Sequence, residues 1–158
     1  MTDNRAGVVP TLMRAGVLTG ITDGLFSSVL SVAFYHSTVA RLFQGVASVV
    51  VGRQALDGGA PAALLGVLLH FCVAFGWSAV FLFVVLRMTF VRRALDSPLG
   101  VPKIAVLYGP LVWMAMSLVV IPLLTQRPPA ITSRWWTQLI GHAPFVGLPI
   151  VWAASSKA

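Results

Sequence analysis

The chain has 158 residues, 58% of them apolar and 9% charged, with a net charge of +7 and a mean hydropathy of +0.90. That composition excludes an ordinary water-soluble domain, and the length leaves room for a single domain with no soluble module of its own. The acids are Asp3, Asp23, Asp57 and Asp96, with no glutamate, so paired-carboxylate chemistry is not expected.

A hydrocarbon core about 30 Å thick needs roughly 20 apolar residues of helix. Runs of that kind fall at about 12–34, 62–86, 104–124 and 136–154. The expected fold class is therefore an all-α membrane protein, a four-transmembrane-helix bundle. Arg5 and Arg14 precede the first run as they would in a signal peptide. Asp23 would interrupt the apolar h-region, however, and no A-x-A site follows it, so a retained span is expected.

In the first span Gly16, Gly20, Gly24 and Ser28 recur at four-residue intervals, a small-residue stripe that lets a neighbouring helix approach. Thr19, Asp23 and Ser27 form the adjacent ridge, which turns the acid toward protein rather than lipid. His36 falls at the outer end and is read as interfacial.

Between the first two spans, Val39, Leu42, Phe43, Val46, Val49 and Val50 recur at helical spacing, while Arg41, Gln44 and Ser48 share another face. An amphipathic helix over about 37–56 is expected, either lying in the outer interface or folded over the mouth of the bundle, and closed by Asp57-Gly58-Gly59 and Pro61. The second span repeats the small-residue device with Gly66, His70, Ala74 and Ser78. Its Cys72 is the only cysteine, so no intramolecular disulfide is possible, and it is expected to be a small buried packing group.

Residues 88–103 are basic and contain Ser97-Pro98 and Gly100-Val101-Pro102, hence a loop. Arg87, Arg92 and Arg93 beside it form a stop-transfer anchor that also suits acidic lipid headgroups. Pro110 and Pro122 in the third span, and Pro144 and Pro149 in the fourth, free backbone carbonyls to kink those helices or accept hydrogen bonds. Gln126-Arg127-Pro128-Pro129 begins a rigid outer turn, with Trp135 and Trp136 where an aromatic belt belongs.

Orientation follows from the cations. With the N-terminus inside, the cytoplasmic side holds seven (Arg5, Arg14, Arg87, Arg92, Arg93, Lys103, Lys157) and the outer side four (Arg41, Arg53, Arg127, Arg134). Both termini are expected in the cytoplasm. The positive charge reads as topology and attraction to the lipid bilayer, not as a nucleic-acid footprint.

At about 1.5 Å per residue, Asp23 lies about 17 Å from the cytoplasmic edge, and His70 and His142, on helices running the other way, lie about 18 to 21 Å from it. The third span reaches that level at Met116 and Ser117. A polar layer of Asp23, His70, His142 and Ser117 is the expected site. Two imidazoles and a carboxylate suit a divalent metal, two opposed imidazoles a haem iron, and an Asp/His chain a proton relay, while packing alone also uses such a network. No cofactor is called for by any attachment motif. Phosphate loops, dinucleotide fingerprints and H-E-x-x-H are all absent, so an enzyme is not expected.

Leu69-His70-Phe71 followed by Ala74-Phe75, Ile121-Pro122-Leu123 leading to Pro128-Pro129, and Ile140-Gly141-His142 together resemble the YagU-like family of small bacterial inner-membrane proteins, over roughly the last hundred residues. The resemblance implies a multi-span protein linked to acid tolerance, with His70 and His142 as carried-over site residues and Pro122 as a structural one. Ser117 stands where that family's pattern has a histidine, which leaves a three-histidine metal site incomplete, and Asp23 has no counterpart in the pattern.

Three functional classes remain open. One is a site for a proton, ion or small ligand. A second is an accessory or assembly subunit of a larger membrane complex, or a homodimer joined through the first span. The third is a haem- or metal-binding redox subunit.

Overall fold

The computed structural model describes residues 5–155, with side chains from Gly7 to Ser155; Asp3, Lys157 and the side chain of Arg5 lie outside them. All regular structure among the described residues is helical. Helix α1, Arg5–Val29, continues through a π-helical turn, Leu30–Phe34, and stops where exposed His36 adopts a φ of +49°. Helix α2 is Val39–Val51, capped by Thr38, whose hydroxyl accepts the Arg41 backbone N–H at 3.0 Å. A 3-10 turn, Arg53–Asp57, leads to α3, Gly59–Phe83.

The short helix α4, Thr89–Leu95, occupies part of the segment expected to be a loop. It forms because Val91 is buried in the core, and it ends before Pro98 and the left-handed Leu99 (φ +61°). Helix α5 runs Gly100–Ala115, then a π stretch Met116–Val120, then Ile121–Thr125. Helix α6 runs Ser133–His142, a π stretch Ala143–Gly147, then Leu148–Ser155.

Gly7–Phe34, Gly59–Arg87 and Gly100–Thr125 are long and apolar enough to cross a membrane. Their outer faces carry exposed Leu25, Leu64 and Leu107, a surface suited to hydrocarbon rather than water. Each of these helices begins earlier than the apolar runs that predict it, because polar residues at helix ends lower hydropathy without ending the hydrogen-bond ladder.

Four contacts give the helix order. Phe75, Phe71 and His70 of α3 pack successively against Gly16, Gly20 and Gly24, so α1 and α3 are antiparallel. Half-buried Ser28 prolongs this row. The glycines are sockets for rings rather than a backbone seam, because α3 carries large side chains at the matching positions. The closest backbone approaches lie elsewhere. Gly109 of α5 faces the His142 carbonyl, Gly147 of α6 faces the Ala105 carbonyl, and Gly66 of α3 faces the Phe43 carbonyl of α2. Helices α5 and α6 are thus antiparallel too. Gly141 receives the Phe26 ring, and the Arg14 guanidinium lies 3.9 Å from the Trp152 ring, which sets α6 antiparallel to α1.

The two halves of this bundle differ. At the end near α4, Phe81, Ile104, Tyr108, Ile150 and Val151 form a dense core, and the Tyr108 hydroxyl donates to the Trp77 carbonyl at 2.6 Å. Toward the other end the helices enclose a cavity, with α2 packed on α3 beside it. Cys72, expected inside, is exposed, because α3 buries the face that carries Gly66, Ala74, Ser78 and Phe81. The prolines act partly as expected: Pro149 leaves the Phe145 carbonyl without its helical donor, and the Thr22 hydroxyl of α1 bonds it at 2.6 Å.

Candidate functional site

The cavity has a volume of about 720 Å³. Asp23, His70, Ser117 and His142, the four residues of the expected polar layer, all line it, and α2 contributes Phe43 and Val46 to its wall. Arg127 and Arg134, both exposed, stand at its mouth, where the Arg134 guanidinium lies 4.5 Å from the Tyr35 ring.

Asp23 and His70 form its deep polar pair. Asp23 Oδ2 is 3.9 Å from His70 Nδ1, with side chains only 16% and 15% exposed. His70 Nε2 lies 2.9 Å from the Gly20 carbonyl oxygen. A carbonyl only accepts, so Nε2 donates to it, and Nδ1 is the ring nitrogen nearest the carboxylate. Gly24 permits this: a Cβ there would lie 3.3 Å from Nε2 and crowd the ring away from α1.

His142 is held differently. Its Nδ1 is 2.7 Å from the Gln138 carbonyl one turn earlier, and its ring lies 4.9 Å from that of Trp113. The same logic puts the hydrogen on Nδ1 and leaves Nε2 bare, with no protein hydrogen bond among the described residues. Ser117 accepts the Trp135 indole N–H at 2.9 Å. Trp135 is therefore buried inside the bundle and does not belong to an interfacial belt, because its N–H finds a partner there, whereas its neighbour Trp136 is exposed. Ser117→Ala would strand that buried N–H, and a loss of about 1–3 kcal/mol is expected in thermal unfolding.

Among the described residues four buried side-chain polar atoms have no hydrogen-bond partner: Thr19 Oγ1, Asp23 Oδ1, Trp113 Nε1 and Gln138 Oε1. Protein interiors rarely leave such groups unpaired. All four residues line this one cavity. Trp113 and Gln138 escaped the sequence reading, although Gln138 is the only amide side chain in the fourth apolar run and stands one turn before His142.

As placed, no three His, Cys, Asp or Glu side chains among the described residues are grouped as ligands for one metal ion. Arg87, Arg92 and Arg93 are exposed on the turn Val85–Arg87 and on α4, without an ion pair among the described residues, and do not line the cavity. Comparison with protein-family models, with curated proteins and with solved structures found no match to this chain.

Proposed function

We propose that this is a four-span integral membrane protein that holds a small, mainly apolar ligand in the cavity around Asp23, His70 and His142. One observation carries the reading: the four residues whose buried side-chain atoms lack a partner all line a single, largely apolar space. Ligand pockets combine an apolar wall with a few polar groups that await a partner.

The fourth crossing is α6, whose segments of 10, 5 and 8 residues run on without a break and return antiparallel to α5. Their summed length suits a bilayer core. Helix α2 lies in the outer interface over the cavity mouth. The cation distribution favours cytoplasmic termini, and the family resemblance a bacterial inner membrane. The acid-tolerance role is implied by the family resemblance alone, and the Asp23–His70 pair, 3.9 Å apart, is where it would be sought.

The binding reading is favoured over a docking role for the glycine row, because the notches at Gly16, Gly20 and Gly24 are already filled by α3 side chains. It is favoured over a metal centre because the candidate ligands are not grouped.

The test is a titration of the protein in nanodiscs with 4-phenylbutan-1-ol, read by tryptophan fluorescence against lipid-only discs. Saturation at one molecule per chain is expected. Ser27→Phe, which pushes a ring into the cavity, should weaken it by about tenfold or more. A non-saturating signal that Ser27→Phe leaves unchanged would mean that the probe dissolves in lipid and the cavity binds nothing.

A further inference from the structure

The acid on the cavity wall says what the ligand brings. Asp23 Oδ1 and Gln138 Oε1 are buried acceptors without donors, and the Thr19 hydroxyl and the Trp113 indole N–H are unpartnered as well. The carbonyls of Gly20 and Gln138 accept from His70 Nε2 and His142 Nδ1.

Among the described residues Asp23 is the only acid lining the cavity, and within 4.0 Å its only candidate counter-charge is His70. A carboxylate at this depth is costly unless a positive partner meets it. Arg127 and Arg134 at the mouth are exposed, so their charges are screened from the deep end. Phe43, Trp77 and Trp113 also line the cavity, and aromatic faces attract cations.

From this we infer that the ligand is a lipophilic amine in its ammonium form, primary or secondary, with N–H donors directed at Asp23 and Gln138 and its apolar body against the tryptophans. A bare metal ion leaves most of the 720 Å³ unfilled, and a quaternary ammonium has no N–H for the waiting acceptors. The inference rests on the ligand-binding reading above and adds the chemical class.

Three probes with one skeleton separate the two claims: 4-phenylbutylammonium, 4-phenylbutan-1-ol and 4-phenylbutanoate, each titrated into wild type, Asp23→Asn and Gln138→Glu in nanodiscs. The ammonium should bind about tenfold more tightly than the alcohol, and the carboxylate most weakly. Asp23→Asn should abolish the preference for ammonium. Gln138→Glu, which adds a second carboxylate, should increase the preference, and it carries the test if the Asn variant fails to fold. Alcohol binding equal to or tighter than ammonium binding in wild type, or a preference that survives Asp23→Asn, would overturn the amine class and leave the cavity a binding site. No saturable binding of any probe would overturn both.

Discussion

Replacing Gly109 with alanine is expected to destabilise the bundle by about 1–3 kcal/mol, although it adds a single methyl to an apolar helix. The new Cβ would collide with the carbonyl of His142 and stand 2.9 Å from the Ala143 Cα. Backbone of a packed helix cannot swing aside as a side chain does, so α5 and α6 must separate, and the contacts of Tyr108 and Val112 in the core loosen with them. Gly76→Ala is the matched control. Nothing lies within 4 Å of a Cβ there, and the better helix propensity of alanine should leave stability unchanged or raise it by up to about 1 kcal/mol. Thermal unfolding of both variants in one detergent reads the difference. Because Gly109 touches His142 itself, its variant should also lose ligand affinity. Equal melting temperatures for the Gly109 and Gly76 variants would show that α5 and α6 are not in backbone contact.

A second substitution should act in the opposite sense. Thr19 is 2% exposed and its hydroxyl has no partner, so the empty protein bears the full desolvation cost of that group. Thr19→Val keeps the shape, removes the hydroxyl, and should raise the unfolding free energy of the empty protein by about 1 kcal/mol. If the cavity is built for a ligand with a polar head, the same variant should bind 4-phenylbutylammonium several-fold less tightly, since one partner of the head is gone. Stability rising while binding falls is the signature of a group kept for function. Lower stability in Thr19→Val would mean that the hydroxyl is satisfied within the protein and that the polar lining is structural.

Much of the helical layout was legible in the sequence, because apolar runs of bilayer length and a 3.6-residue period announce themselves without tertiary information. Counting the helical rise also brought Asp23, His70, His142 and Ser117 to one level, and all four line the same cavity. What the sequence could not convey was partner choice. Gly16, Gly20 and Gly24 read as a seam for another backbone, yet only the register of α3 shows that Phe75, Phe71 and His70 fill those notches. Gly109 and Gly147, which make the close backbone approaches between α5 and α6, belong to no regular stripe. Trp135 was misplaced in an interfacial belt because its acceptor, Ser117, lies on another helix. Trp113 and Gln138 looked like ordinary members of apolar runs; their unpaired atoms have meaning only once the surrounding helices enclose a space. Helix α4 escaped because its single buried side chain, Val91, is too short a signal amid basic residues and a proline.

The most direct test follows the Trp113 indole. Trp113 Nε1 is buried without a partner beside His142, whereas Trp135 Nε1 is bonded to Ser117, and Trp136 and Trp152 are exposed. Indole N–H resonances of the isotope-labelled protein, followed by nuclear magnetic resonance during titration with 4-phenylbutylammonium, separate these environments. A ligand in the cavity should move the Trp113 resonance saturably as the phenyl ring packs beside the indole, with Trp136 and Trp152 unmoved. A Trp113 resonance that stays still, or shifts in step with the exposed indoles, would contradict a ligand site within the bundle.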